Sequence, residues 1–278
     1  MTRVATFNML HGMDLATGDG SDLEATAAVI EGLGADVVAL QEVDRGLPRS
    51  GGVDQVAHLC AVLGPGWEGV FAPALLGDPN TSWRVPGTGD GTGDGTGAGI
   101  GTRGGTDDPD GPAYGIAVLS RRGLSEPQRL ALPGGGPGHR TDARRAGWDR
   151  EPRTALRVVI GGTDDPSRLH VTTTHLSYLP WRGLAQLRRV ARWAAAPPGP
   201  AVLAGDLNLP AGVVRGALPR WQHAGGDPTY PASAPRVQVD QILVRDCAAT
   251  GARVIPTTSS DHLPLVADLA PEAAADTG

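Results

Sequence analysis

The sequence of 278 residues predicts an α/β protein. Short apolar runs alternate with segments of helical periodicity from one end of the chain to the other, which is typical of this fold class. Polar side chains follow directly on several of the apolar runs, as expected where strands end at a binding site. The same scheme continues on both sides of a glycine-rich stretch, so we expect one domain rather than two.

The first predicted elements are a strand at 4–7 and a helix at 22–33. Asp22 is the candidate N-cap, because its carboxylate can accept a hydrogen bond from the first turn. Gly34 is a typical residue at a helix end, and a second strand is expected at 36–40. A second helix at 53–63 ends before Gly64-Pro65-Gly66. The apolar face of the first helix consists of Leu23, Ala27, Ile30 and Leu33.

Six further strands and one amphipathic helix complete the pattern. The strands are expected at 115–119, 155–160, 169–174, 201–204, 239–244 and 263–269. The helix at 181–195 places Leu184, Leu187, Val190 and Ala191 on one face. A helix of this kind covers one face of a sheet.

Residues 86–112 interrupt the alternation with a near-repeat of Thr-Gly-Asp-Gly. Calcium-binding glycine/aspartate repeats need many successive turns with apolar residues between them, and this stretch has too few. We therefore expect a flexible surface loop at 86–112, inside a single domain that spans 1–270. Residues 271–278 are expected to form a disordered tail.

The composition is that of an ordinary globular protein, with 40% hydrophobic and 19% charged residues. The net charge is −6, and all 24 basic residues are arginine. A protein that holds duplex DNA usually shows a basic face, so nucleic acid is a possible substrate that the charge does not favour. Cys60 and Cys247 lack the spacing of a zinc site, and we expect two buried thiols rather than a disulfide.

The N-terminus has no apolar stretch long enough for a signal peptide, and no segment approaches the length of a transmembrane helix. These features predict a cytoplasmic protein. Nothing in the sequence predicts a protein partner.

Polar residues that suit phosphate chemistry lie at the ends of predicted strands at six places, and a seventh lies within a strand. They are Asn8, Glu42, Tyr114, His175, Asp206 with Asn208, Asp261 with His262, and, inside the strand, Asp240. Cleavage of a phosphate ester requires a cation, a group that positions or deprotonates water, and hydrogen-bond donors for the transition state. Carboxylate and amide oxygens are the ligands that a hard cation such as Mg²⁺ prefers.

Taken singly, each of these residues has a simpler explanation; Asn8 could cap a turn, for example. The ordered group is what indicates a site. A carboxylate commonly orients a catalytic histidine, and Asp240 is a candidate partner for either His175 or His262. Asp206 and Asn208, two positions apart on an extended chain, are predicted to point to the same side.

The motifs TFNM, LQEVD, YGIAVLSR, GDLN and SDHLPL, in this order, resemble those of the endonuclease/exonuclease/phosphatase superfamily. The resemblance covers the chain from Asn8 to Pro264. It implies a four-layer α/β/β/α sandwich, in which helices flank two mixed, largely antiparallel sheets. It also implies a hydrolase of phosphate esters that depends on Mg²⁺ or Mn²⁺.

The resemblance further implies roles for individual residues. Glu42 would be the main metal ligand, with Asn8 and Asp261 contributing nearby. His262 would be the general base or a transition-state donor, oriented by Asp240. The remaining implied roles are water positioning and phosphate binding by Asp206 and Asn208, assistance to the leaving group by His175, and contact with the phosphate or the acid by Tyr114.

Four arginines are candidates for phosphate binding. The REPRTAL segment resembles one in deoxyribonucleases and offers Arg150 or Arg153, although an ion pair with Glu151 is an equally good interpretation. Arg45 and Arg49 follow Glu42 and resemble a signature of bacterial family members, where they would hold a second phosphate or a polar headgroup.

The sequence therefore predicts a metal-dependent phosphoesterase that cleaves a diester or monoester of a small molecule or lipid headgroup. His175 and the REP segment leave open a non-specific Mg²⁺-dependent endonuclease. A catalytically inactive binding module of the same fold is the third hypothesis, which the full group of strand-end polar residues disfavours.

Overall fold

The computed structural model describes residues 1–18, 20–87, 111–132, 134, 149, 151–162 and 168–271. The predicted flexible loop at 86–112 falls almost entirely outside the described residues, as does the predicted tail after Pro271. Both expectations therefore remain predictions.

Thirteen strands, four α-helices and two single-turn 3-10 helices, at Leu10–Gly12 and Pro48–Ser50, make up the described structure. The strands are β1 (Thr2–Asn8), β2 (Val37–Arg45), β3 (Glu68–Gly77), β4 (Trp83–Arg84), β5 (Ala113–Ser120), β6 (Leu124–Leu132), β7 (Arg153–Ile160), β8 (Leu169–His175), β9 (Ala201–Asp206), β10 (Gln222–His223), β11 (Asp240–Arg245), β12 (Cys247–Val254) and β13 (Leu265–Pro271). The helices are α1 (Leu23–Gly32), α2 (Gln55–Leu63), α3 (Pro180–Ala194) and α4 (Ala211–Ala217).

The strands form two mixed sheets. One has seven strands in the order β12-β13-β1-β2-β5-β3-β4, and the other has six in the order β10-β11-β9-β8-β7-β6. The pairs β1–β2 and β8–β9 are parallel, and the other pairs are antiparallel. The prediction of two mixed, largely antiparallel sheets is confirmed.

Three apolar clusters separate four layers. In β1, Val4 lies in the cluster between the sheets, whereas Phe7 lies in the cluster against α1 and α2. In β9, Val202 faces the other sheet and Leu203 packs on the side of α3. Because both faces of these strands are buried, they appear in the sequence as continuous apolar runs. This is the predicted α/β/β/α sandwich.

All eight predicted strands and all three predicted helices are present, with ends that differ by a few residues. Asp22 caps α1, since its side chain accepts a hydrogen bond from the Ala25 backbone N–H. The strands that sequence reasoning missed include β3, β6 and β12. Pro73 interrupts β3 and Pro127 interrupts β6, and β6 and β12 are edge strands with partly exposed faces.

In each sheet, the strand ends that carry the polar residues lie at a common edge. The ends of β1 and β2 meet the starts of β5 and β13, and the ends of β8 and β9 meet the start of β11. Asp240 is thus the first residue of β11 rather than an interior one. Cys60 is half-buried, Cys247 is buried, and the two thiols form no disulfide. Among the described residues, no helix is long and apolar enough to cross a bilayer.

Candidate active site

Asn8 connects the two sheets at their common edge. Its Nδ2 atom donates to Glu42 Oε1 at 3.0 Å and to Asp206 Oδ2 at 3.1 Å. Asn8 and Asp206 are each only 1% exposed. The residues joined here belong to what we call the carboxylate–histidine cluster, which consists of Asn8, Glu42, His175, Asp206, Asp240 and His262.

Glu42 reaches the cluster because β2 contains a bulge. The pairing with β5 shifts register between Gln41 and Val43, and Glu42 has a φ of 57°. Leu40 and Val43 both pack on the helix side. The two residues between them, Gln41 and Glu42, therefore turn toward the second sheet. A non-glycine residue at positive φ is uncommon, and bulges frequently re-aim a side chain beside an active site.

Three adjacent strands align the rest of the cluster. The register places His175 opposite Asp206, and Asp206 opposite Asp240. His175 Nε2 lies 3.4 Å from Asp206 Oδ2. A Cβ atom at Gly205 would lie 2.0 Å from the carbonyl oxygen of Thr174, so β8 and β9 can approach this closely only with glycine at that position.

His262 forms a tight pair with Asp240. The distance from His262 Nδ1 to Asp240 Oδ2 is 2.8 Å, and both residues are buried. The sequence left open whether Asp240 orients His175 or His262, and the structure shows His262 as its partner. His262 Nε2 points the other way and lies 3.8 Å from Asp206 Oδ2.

Burial perturbs both carboxylates that Asn8 joins. It raises the pKa of Glu42 from 4.5 to about 7, helped by the charge of Asp206 and opposed by the Asn8 hydrogen bond. Burial and then the charge of Asp240 raise the pKa of Asp206 from 3.8 to about 6. Two carboxylates that share one amide donor repel each other when both are ionised.

The two histidines are shifted in opposite directions. Burial disfavours the charged form of His262, but the hydrogen bond and charge of Asp240 outweigh it and raise its pKa from 6.5 to about 9. Burial, together with the charges of Arg153 and His262, lowers the pKa of His175 well below 6.5. At neutral pH His262 is therefore protonated and His175 is neutral.

Asn208 corrects one expectation. The sequence predicts that Asp206 and Asn208 lie on an extended chain and point to the same side, and this is wrong because β9 ends at Asp206. Asn208 has a φ of 50°, and its backbone N–H donates to Asp206 Oδ1 at 2.9 Å. Its side-chain Nδ2 donates to the Leu176 carbonyl at 2.9 Å. Asn208 thus holds Asp206 and the segment after β8 in place.

Arg153 is close enough to the cluster for its charge to lower the pKa of both Glu42 and His175. It is 6% exposed and lies 3.6 Å from Asp149 and 3.2 Å from Glu151. The pair with Glu151 that the sequence allowed is therefore present, and it joins a buried arginine to a partly buried carboxylate. The charge of Arg153 also favours the ionised form of Glu42. Arg150 lies outside the described residues.

Arg45 and Arg49 have partners outside the cluster. Arg49 Nε and Nη2 donate to Asp44 at 2.8 and 2.7 Å, and its guanidinium lies 5.4 Å from the ring centroid of Tyr114. Arg45 lies 5.0 Å from the ring centroid of Phe71. Tyr114 is 6% exposed, and burial and then the charge of Glu42 raise its pKa well above 10.

Two residues of the site were missed by sequence reasoning. Ser260 Oγ donates to the Asn8 carbonyl at 2.7 Å and accepts from the His262 backbone N–H at 3.2 Å. Its place in the SSDH motif was a usable signal. Tyr230 packs its ring on His262 with centroids 4.7 Å apart. It belongs to an irregular segment far from the motif, so no sequence signal indicated this contact.

The donor atoms fit a hard divalent cation. Asp206, Asp240 and His262 each place a ligand atom within 4.8 Å of the others, but His262 and Asp240 already bond to each other. Asp261 Oδ1 is buried with no hydrogen-bond partner in the described structure. A cation beside Glu42 would stabilise the ionised carboxylate that burial disfavours, and carboxylate oxygens are what Mg²⁺ prefers.

The shifted pKa values predict how the stability of the metal-free protein depends on pH. Glu42 titrates at 4.5 when unfolded and at about 7 when folded, so the free energy of unfolding should fall as pH rises across that interval. Asp206 and His262 act in the same direction over their own intervals. Melting temperatures of the wild type and of Glu42→Gln, measured without divalent cations from pH 4.5 to 7, test this. We expect a flatter profile for Glu42→Gln; parallel profiles would contradict the assignment.

The chain was compared with models of known protein families, with curated proteins and with solved structures. A sequence model described as the Endonuclease/Exonuclease/phosphatase family matches residues 5–262. No curated protein matches the sequence.

Solved structures with similar folds include three proteins that are described by different names. An endonuclease/exonuclease/phosphatase from Beutenbergia cavernae has 24% identity and a TM-score of 0.70, over 96% of this chain and 71% of that one. A mannosyl-6-phosphatase from Bacteroides thetaiotaomicron has 15% identity and a TM-score of 0.64, over 97% and 100%. The human Nocturnin catalytic domain, with bound sulfate, has 18% identity and a TM-score of 0.55, over 97% and 93%. These similarities show a shared fold.

Proposed function

The chain belongs to the endonuclease/exonuclease/phosphatase family, and from this premise we propose that it is an Mg²⁺-dependent phosphoesterase. Members of the family are generally hydrolases of phosphoester bonds and usually use a divalent metal. The substrate we propose is a phosphodiester or phosphomonoester of a small molecule or lipid headgroup. The observation that carries the proposal is the continuous contact from Glu42 through Asn8 and Asp206 to His262.

In this proposal Glu42 would hold the cation, and Asp261, whose buried Oδ1 has no hydrogen-bond partner in the described part of the chain, would contribute a second carboxylate. When bound, Mg²⁺ (or Mn²⁺) offsets charge on the non-bridging oxygens of the phosphate. Asn8 presents its amide nitrogen to Glu42, while its Oδ1 accepts from the Leu10 backbone N–H at 3.1 Å. We therefore assign Asn8 the task of positioning Glu42 rather than binding the cation.

Asp206 is our candidate for the group that accepts the proton of the attacking water. A carboxylate with a pKa of about 6 is ionised at neutral pH yet basic enough to take a proton, which suits a general base. The Asn208 backbone N–H fixes one of its oxygens, and Asn8 binds the other. This placement would direct water in line with the scissile bond.

His262 is our candidate donor to the phosphate. Its Nδ1 is bonded to Asp240, so the protonated ring turns Nε2 toward Asp206 and the site. An N–H held in this way stabilises charge that develops on a phosphate oxygen. His175 is neutral, and we assign its N–H to the leaving oxygen. Arg153, whose buried Nε has no hydrogen-bond partner among the described groups, remains a candidate phosphate contact.

A non-specific endonuclease is the alternative, and the observation that favours it is the presence of His175 beside Asp206. The net charge of −6 argues against tight binding of a nucleic acid backbone. The two functions differ in substrate rather than in the chemistry of the site.

Hydrolysis of bis-(p-nitrophenyl) phosphate tests the proposal. We expect activity that depends steeply on Mg²⁺ and is abolished by a chelator. A panel of plasmid DNA, sphingomyelin and inositol phosphates then separates the substrate classes. Turnover of the small esters but not of plasmid DNA is the predicted result. Plasmid cleavage alone would favour the nuclease, and no hydrolysis of any substrate with Mg²⁺ or Mn²⁺ would favour an inactive binding module.

A further inference from the structure

Three exposed aromatic side chains lie in two segments, one that follows His175 in the chain and one whose Tyr230 packs on His262. Tyr178, Trp181 and Tyr230 expose 54%, 68% and 38% of their surface. In the part of the chain that the structure describes, every other aromatic side chain is buried or half-buried. A single exposed apolar residue needs no explanation, but exposed aromatic residues confined to these two segments do.

The segment that carries Tyr178 is held firmly against the site. The Leu176 backbone N–H donates to the Asp206 carbonyl at 3.0 Å, and Asn208 Nδ2 donates to the Leu176 carbonyl at 2.9 Å. The Ser177 backbone N–H donates to Gln186 Oε1 at 2.9 Å. The segment is thus fixed by hydrogen bonds to the loop that carries the proposed base.

The fold itself does not account for Trp181. α3 buries a stripe that includes Leu187, Val190 and Ala194, and Trp181 projects away from it. A large aromatic ring on the solvent side of an amphipathic helix contributes little to the core. Trp181 is the second residue of α3, and it directly follows the segment that Asn208 and Gln186 hold at the end of β8.

Tyr230 contacts the site through His262. Its ring lies 4.7 Å from the His262 ring at an angle of 42°. The Tyr230 backbone N–H donates to the Val237 carbonyl at 3.1 Å, and its carbonyl accepts from the Val237 N–H at 3.1 Å. The backbone is therefore fixed, while part of the ring stays open to solvent.

We propose that Tyr178, Trp181 and Tyr230 form an aromatic rim that binds a ring-shaped organic group attached to the substrate phosphate. This inference rests on the proposed function and narrows it to small phosphate esters with a cyclic substituent next to the phosphate. Aromatic side chains stack on flat rings and pack on the apolar faces of saturated ones. Such contacts add affinity without added positive charge, which fits an acidic protein.

Phenyl phosphate and methyl phosphate, used as competitive inhibitors of bis-(p-nitrophenyl) phosphate hydrolysis, test the rim. We expect the wild type to bind phenyl phosphate more tightly. In the double variant Tyr178→Ala/Trp181→Ala, its inhibition constant should rise about fivefold to thirtyfold, while that of methyl phosphate stays constant. Val213→Ala, at a residue that is 44% exposed on α4, is the matched control and should change neither constant.

A nucleoside 5′-phosphate and a hexose 6-phosphate in the same assay show which kind of ring the rim prefers, and the double variant should lose affinity for the preferred one. Unchanged inhibition constants in an active double variant would overturn the rim and leave the proposed function standing. If the double variant lost a binding to phosphatidylcholine vesicles that the wild type shows, while it still preferred phenyl phosphate to methyl phosphate, the aromatic residues would bind a lipid surface and the proposed rim would be wrong. Absence of hydrolysis by the wild type would instead contradict the proposed function.

Discussion

Glu42→Gln is expected to lower kcat/KM for bis-(p-nitrophenyl) phosphate by about 1,000-fold or more while the protein stays folded. The substitution keeps the size of the side chain and its contact with Asn8 but removes the charge that we assign to cation binding. Loss of one preorganised electrostatic contact at a reacting phosphate accounts for a loss of this order. Steady-state kinetics at saturating Mg²⁺, with circular dichroism to verify the fold, measures the effect.

The control for this variant is Glu31→Gln, which removes the same charge at an exposed position on α1. It should retain wild-type kinetics. Full turnover by Glu42→Gln would refute the assignment of Glu42, because no other carboxylate contacts Asn8 from β2 in the described part of the chain.

His262→Ala is expected to reduce kcat by a similar factor of about 1,000. The protonated imidazole lies between Asp240 and Asp206, so its removal takes away a donor to the phosphate and leaves the Asp240 carboxylate buried without its partner. In the wild type, kcat should fall as pH rises through about 9, where His262 loses its proton. The pH profile of the variant should lack this alkaline step.

His58→Ala is the matched control, since His58 is partly exposed and lies 3.3 Å from Glu24, a residue outside the cluster. It should leave both kcat and the pH profile unchanged. If His262→Ala kept the alkaline step, another group would be responsible for it, and the role assigned to His262 would be wrong.

The parts of the fold that the sequence predicted share one physical cause. Strands such as β2 and β9 are covered on both faces, so burial produces the apolar runs that mark them. β6 and β12 lie at sheet edges, where many side chains are only partly buried, and their sequences carry no such signal. The same principle explains why the polar residues of the site could be predicted, because they stand where the buried apolar runs end.

The details that sequence reasoning could not supply depend on backbone geometry and on long-range contacts. The bulge that turns Glu42 toward the second sheet follows from the pairing of β2 with β5. The turn at Asn208 ends the extended chain two residues earlier than expected. The pairing of Asp240 with His262 rather than with His175 depends on where the segment before β13 lies relative to the start of β11.

The most direct test of the central claim is titration of Mg²⁺ into the metal-free protein by isothermal calorimetry at neutral pH. The claim is that Glu42 and its buried neighbours form a divalent-cation site. It predicts saturable binding to the wild type and to Glu31→Gln, and binding that is weakened at least about tenfold in Glu42→Gln. Equal affinity in the wild type and Glu42→Gln, or no saturable binding to the wild type, would contradict it.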